Sequence, residues 1–457
     1  MVFSSSVFLF AFLPVTLILY FLPYKHVMTK NIILLVMSLI FYGWGEPKYI
    51  LVMIFSILMN YVIARIIGKH KSKLMLTFAA VINLGLLGYF KYTDFFIDTI
   101  NKVANLGLGN LGVILPIGIS FYTFQALSYV IDVYRGKVEA QKNPIIVATY
   151  ITMFPQLIAG PIVRYSDVEK QLIARENNAD NIAIGIRRFV IGLSKKVLIA
   201  NQLALVWDDV YGQIAAGYEV SMGAAWLGAL AFTLQIYYDF SGYSDMAIGL
   251  GKILGFDFLE NFNFPYISRS ITEFWRRWHM SLSSWFKEYV YIPLGGNRKG
   301  LPRQIVNIFI VWGLTGLWHG ASWNFVLWGL YYGILLIVEK IFMLDFLERH
   351  HAFGHIYTLI LVIFGWVLFN ITDFAILGEY IKAMFNFGCL IDETFKYDAL
   401  SYIGPFVIGI FFSKPFANLD PNREVSQLDI KYTVGLLAIS VCFIVGGTYN
   451  PFLYFRF

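Results

Sequence analysis

Charge is what this chain has least of. Only 14% of its 457 residues are Asp, Glu, Lys or Arg, while 58% are hydrophobic. A soluble globular chain carries about 25% charged residues. So little charge cannot clothe a water-facing surface of this size, which excludes a soluble enzyme. The apolar surplus has to face lipid, and one membrane domain over 1–457 is expected. Cysteine is almost missing. Cys389 and Cys442 lie in no C-x-x-C pair and beside no histidine. They read as small membrane-core hydrophobes, not as a disulfide or catalytic thiol. No H-E-x-x-H and no third ligand accompany the histidines, so no metal is expected. A basic leader and a cleavage site are lacking before the first apolar run, so residues 7–24 read as a retained span.

What is there instead is aromatic and apolar. Phe, Trp and Tyr make up 18%, and Tyr and Trp favour the bilayer interface. Apolar runs occur at 7–24, 31–45, 48–68, 74–90, 113–131, 145–163, 182–206, 222–240, 243–256, 304–319, 321–341, 355–371, 403–413 and 431–449. Several are short or interrupted by Gly and Pro. The expected fold is all-α and polytopic, with about eleven transmembrane helices plus re-entrant and interfacial ones. Net charge is +6, but the basic residues sit in short loops, the pattern of membrane orientation, and nucleic-acid binding is not expected. Lys25 and Lys30, then Arg65, Lys69, Lys71 and Lys73, place the loops at 25–30 and 69–73 in the cytoplasm and the N-terminus outside. Residues 91–112 read as an outer loop and 164–181 as a solvated connection. No internal repeat is visible.

Two histidines stand out. Residues 268–290, SRSITEFWRRWHMSLSSWFKEYV, place Ile271, Phe274, Trp275, Trp278, Leu282, Trp285, Phe286 and Tyr289 at helical steps of three and four. One amphipathic helix is expected there, at the interface or along a protein-walled cavity, with His279 on its apolar side. Residues 311–329, VWGLTGLWHGASWNFVLWG, surround His319, the one titratable residue between Gln304 and Tyr332 apart from the tyrosines at its edge. An ionisable group at membrane depth costs a few kcal/mol and usually faces a cavity. Neutral imidazole suits removal of a hydroxyl proton during attack on a thioester. A structural histidine bonded to a broken helix is the bland alternative.

PQLIAGPIVRY (155–165), YYDFSGYSDMAIGLGKILGF (237–256), ENFNFPYISRSITEFWRRWHMSLSSWF (260–286), YIPLGGNRKG (291–300) and GLWHGASWNFVLWG (316–329) resemble the membrane-bound O-acyltransferase (MBOAT) family, and LPIGISFYTFQALSYVIDVYRGK (115–137) fits the same pattern. The likeness is to the bacterial branch of alginate and peptidoglycan O-acetyltransferase membrane components and the teichoic-acid D-alanyl exporter. It implies a ring of helices around a central tunnel. It implies that His319 is the catalytic histidine and His279 the second active-site position, assisting by orientation or by stabilising an oxyanion. It also implies acetyl-CoA as acyl-donor substrate, with no permanently bound cofactor, in a multi-pass protein of the bacterial inner membrane. The C-terminal PFLYFRF fits F-x-Y-x-x-F at Phe452, Tyr454 and Phe457 (motif at 452–457). That motif is similar to the acyl-carrying C-terminus of the D-alanylation partner peptide. Tyr454 would then take the acetyl group and hand it to an outer-face SGNH-type acetyltransferase that modifies a polysaccharide.

Arg276, Arg277, Arg298, Lys299 and Arg303 could meet the phosphates of coenzyme A, or could be no more than a positive-inside loop. Asp239 and Asp245 flank Ser241–Ser244 and read as hydrogen-bonding partners of a helix break. Pro155 and Pro161 are expected to break a helix. The reading from another class is a polysaccharide or lipid-linked sugar transporter without acyl transfer. A scaffold for a synthase is a third, and it would leave His319 dispensable.

Overall fold

The structure is a computed structural model that describes residues 1–23, 25–158, 160–415 and 423–447. Its described residues form helices joined by turns and loops, without a strand. Seven helices are long and apolar enough to cross a membrane, among them α1 (Val27–Gly45), α2 (Ile50–His70) and α3 (Lys73–Ala104). Shorter apolar helices lie at Phe8–Phe21 and Ile403–Phe412. The chain divides into two compact units. One comprises Met1–Val190, Tyr243–Leu259 and Asn422–Thr433, and the other Ile191–Gly242, Glu260–Pro421 and Val434–Phe457.

In the first unit polar side chains tie the spans together. Asn60 of α2 and Asn83 of α3 are both buried and exchange amide hydrogen bonds at 3.0 and 2.8 Å. Lipid offers no competing partner, so such pairs act as interhelical glue. Helix α4 (Ile119–Arg135) starts only after Gly118, whose φ of +75° ends the extended lead from the preceding loop. The expected span at 113–131 is therefore shifted towards the C-terminus. The run at 145–163 is broken as expected, into Pro144–Thr152 and Phe154–Leu157, with Pro155 in the first turn of the second piece.

Three expectations are corrected. The 91–112 stretch is not all loop, because α3 continues to Ala104. Its polar turns still hydrogen-bond as helix, and Asn105, with φ +51°, ends it. The 164–181 connection is not simply solvated. Arg175 is buried, donating at 2.7 Å to the Tyr20 hydroxyl and at 2.7 Å to Asn31 Oδ1. The third concerns helices α5 (Ala179–Ser194) and α6 (Met222–Ile253). The runs expected at 222–240 and 243–256 meet in one helix that ends at Ile253, so no break exists for Asp239 and Asp245 to satisfy. Asp245 instead pairs with Arg188 at 3.0 Å. Glycines let the helices meet here: a Cβ on Gly185 would lie 2.6 Å from the Gly249 carbonyl oxygen.

In the second unit Asp239 pairs with Lys196 at 2.6 Å, both side chains buried. The core is aromatic, built on Trp207, Phe232, Trp278, Trp328, Tyr332 and Trp366. Two helices form its hairpin. The residues from Leu301 to His319 are one, and Trp323–Val338 is the other. A Cβ on Gly316 would clash with the Phe325 carbonyl, and one on Gly329 with the Trp312 carbonyl. The hairpin thus closes backbone on backbone, in the manner of small-residue contacts between membrane helices. Both cysteines are free and exposed.

Candidate active site

The single amphipathic helix expected at 268–290 is interrupted at Trp278 and His279. Helix α7 runs Ile271–Arg277 and helix α8 runs Met280–Phe286. Between them Trp278 is extended and His279 is left-handed, with φ +44°. The sequence has no glycine or proline at this point. The break is held instead by the segment 261–263, which takes up the backbone groups it releases. Asn263 N–H donates to the Arg277 carbonyl at 2.9 Å, and Met280 N–H donates to the Asn261 carbonyl at 2.9 Å. Ser270 caps α7 by accepting from Glu273 N–H at 3.0 Å. Such satisfied ends allow a helix to stop inside a protein.

The break fixes the imidazole of His279. Its Nδ1 is 3.0 Å from Asn261 Oδ1, and its ring packs edge-on to Phe240 at 4.7 Å. Burial without a compensating charge pushes this imidazole far down, to about 3, so it is neutral at physiological pH.

His319 ends the helix Leu301–His319, here α9, just before the turn into α10 (Trp323–Val338). Its ring meets Trp318 and Trp328 at 5.1 Å and Phe369 at 5.2 Å. It is partly exposed, not sealed. Trp318 also touches His279, at 5.9 Å.

His279 and His319, 40 residues apart in sequence, line one cavity of about 260 Å³. Trp275, Leu282, Phe286, Val311, Trp312 and Leu336 give it an apolar wall. Arg276, Lys287 and Tyr291 also line it. The cavity therefore combines two imidazoles, two cations and bulky apolar surface within one unit, the composition expected of a small-ligand site.

The other cationic candidates fall elsewhere. Arg277 is bound to Glu273 at 2.9 Å and donates to the Asn263 carbonyl at 3.1 Å, so it secures the helix break. Arg298 and Lys299 are exposed on the turn before α9, and Arg303 donates to the Leu294 carbonyl at 3.2 Å. Lys287 and Asn261 escaped the sequence reading. Lys287 was one charge among many on a helix face, and Asn261 is brought to His279 only by the chain reversal between them. Tyr454 and the rest of the motif at 452–457 lie outside the described residues. No cluster of three metal-binding side chains exists among the described residues.

Comparison with known proteins gives the family. The family model for MBOAT, the membrane-bound O-acyltransferase family, matches residues 7–379, a range that holds both histidines. A protein of Pseudomonas putida named "Probable alginate O-acetylase AlgI" is 40% identical, with the whole of both chains covered. A peptidoglycan O-acetyltransferase of Helicobacter pylori is 33% identical over all of this chain and 98% of its own. A teichoic acid D-alanyltransferase of Bacillus subtilis is 29% identical over 50% of this chain and 59% of its own. The chain belongs to the membrane-bound O-acyltransferase family and is a multi-pass membrane acyltransferase.

Proposed function

We propose that this acyltransferase takes acetyl from acetyl-CoA and serves the O-acetylation of a polysaccharide outside the bacterial inner membrane. The observation that carries the reading is the shared cavity of His279 and His319, with Arg276 and Lys287 on its lining. Its volume lies just below the usual range of ligand pockets, which starts at about 300 Å³. That favours a short acyl group over a fatty chain. The relatives named for alginate and peptidoglycan O-acetylation support a carbohydrate polymer as final acceptor.

The chemistry follows from the groups present. His319, partly exposed at the C-terminal end of α9, acts as general base. Its imidazole takes the proton of a hydroxyl as that oxygen attacks the thioester carbonyl carbon. The C–O bond forms, the C–S bond breaks, and the imidazolium returns its proton to the departing sulfur. Arg276 and Lys287 suit the phosphates of the donor through charge-assisted bonds. Tyr454 is the proposed first acceptor on the strength of its F-x-Y-x-x-F setting. It would pass the acetyl group to an outer-face SGNH-type transferase, because a phenyl ester remains reactive enough to transfer again.

His319→Ala should abolish acetyl esters on the surface polymer while the protein still inserts and extracts as a folded species. Wild-type acetylation in that variant ends the proposal. Labelled acetyl-CoA offered to the purified protein gives the complementary measurement, and label on Tyr454 that disappears in Tyr454→Phe supports the relay. Full polymer acetylation by Tyr454→Phe removes the relay and leaves direct transfer.

A further inference from the structure

Two polar groups on the cavity-lining side chains have no partner among the described residues. One is Nε2 of His279, and the other is Nε1 of Trp275. Both are buried, and a buried polar group without a partner calls for an explanation. They are opposite in kind. An indole Nε1 can only donate. The His279 Nε2 can only accept, for the following chemical reason. Asn261 Oδ1 takes the Ser281 N–H at 3.3 Å and the Ser281 hydroxyl at 2.8 Å as well as His279 Nδ1 at 3.0 Å. A backbone N–H demands an acceptor, so that Asn261 atom is the carbonyl oxygen and Nδ1 carries the ring proton. In a neutral imidazole Nε2 is then a bare lone pair.

The geometry points to an amide-reading subsite, in which His279 Nε2 accepts from the N–H and Trp275 Nε1 donates to the C=O of the first amide in a pantetheine-type thioester arm, with Asn261 as the positioning residue that sets the imidazole tautomer. The inference rests on the acyl-transfer reading above. One donor and one acceptor are the complement of a single amide. The three aliphatic hydroxyls of the wall have their protons committed, Thr272 to Glu339, Thr315 to the Val311 carbonyl and Ser283 to the Trp275 carbonyl, and Leu282, Phe286, Val311 and Leu336 are apolar. An incoming hydroxyl fits less well, because it has one proton and His319 takes it. In such an arm only two methylenes separate the amide from the sulfur. Its subsite therefore has to share the cavity with His319, and it does. The charged or titratable groups in the same cavity are Arg276, Lys287, Tyr291 and His319, and the cations suit the far end of the arm.

The test compares two acetyl donors on the purified full chain. One is S-acetyl-N-acetylcysteamine, and the other is its ketone analogue with a methylene in place of the amide N–H. The wild type should prefer the amide about tenfold or more in kcat/KM, since a site built to bond a polar group discriminates strongly against its loss. The preference should collapse in Asn261→Leu and survive in Asn261→Asp, which keeps an acceptor for Nδ1–H. Equal use of the two donors by the wild type overturns the subsite, and so does a preference unchanged in a folded Asn261→Leu protein. If neither donor is used at all, it is the acyl-transfer reading that fails. Nitrogen NMR of the histidine-labelled wild type needs no variant beyond His279→Asn for assignment. It should show a protonated Nδ1 and a bare Nε2 at neutral pH. A protonated Nε2 overturns the proposal.

Discussion

The carboxylate of Glu339 holds the first turn of α7 in place through Thr272, accepting from both its N–H and its hydroxyl at 2.8 Å. The same carboxylate takes the Ile271 N–H at 2.6 Å. Glu339 is fully buried, so this one side chain satisfies three donors that would otherwise be stranded at a helix start. It also sets the direction in which α7 delivers Trp275 and Arg276 to the cavity. Glu339→Ala should destabilise the protein by about 2–4 kcal/mol, from donors left unpaired in a buried place. Thermal unfolding in detergent measures it, and transfer activity should fall with it. Glu339→Gln, which retains one acceptor oxygen, should lose less.

The glycines of the α9–α10 hairpin make a sharper test, because neighbours in sequence should behave oppositely. A Cβ at Gly316 or Gly329 meets a backbone carbonyl, whereas one at Gly313 meets nothing within 4 Å. Gly316→Val and Gly329→Val should each cost more than about 3 kcal/mol through overpacking and should displace His319. Gly313→Ala should be neutral, or stabilising by up to about 1 kcal/mol from helix propensity. Equal tolerance at the three sites would contradict the close crossing.

The buried pair Lys196–Asp239 allows a double-mutant test. Asp239→Leu alone leaves an ammonium buried and should cost about 3 kcal/mol or more. The double variant Lys196→Met with Asp239→Leu should recover to within about 1 kcal/mol of the wild type, since two charges are removed together. Comparable losses in single and double variants would show that the pair performs a task beyond packing.

Asp398 predicts a pH dependence of stability. It lies in the short helix Glu393–Ser401, outside the candidate spans. Burial, with Asp209 and Asp392 nearby, pushes its carboxyl up to about 6. The usual carboxylate value is about 4, so between those values the folded protein holds a proton that the unfolded chain has lost. Stability contributed here is complete below about pH 4 and declines as pH rises through 6. Asp398→Asn should flatten that decline and stabilise the protein at neutral pH, by about 1–2 kcal/mol. Melting curves across this range in detergent, with wild type and variant side by side, provide the check.

The sequence by itself determined that this is a polytopic helical membrane protein, because a charge deficit over hundreds of residues admits no other solvent. It also marked His319, since a lone imidazole in an apolar run is conspicuous in any arrangement. The Pro155 break was legible for the same reason, proline being a local instruction. Other features depended on residues far apart. Residues 222–253 form one helix because Gly242, which resembles a breaker, instead admits the Gly192 carbonyl, 2.7 Å from where its Cβ would stand. The helix expected across 268–290 stops at His279 because Asn261 and Asn263 accept and donate what the break releases. No local propensity encodes that. Nor could spacing alone choose Arg276 and Lys287 over Arg298 and Lys299 for the cavity. Periodicity assigns a side chain to a helix face, and only the packing of that face against other helices decides what it meets.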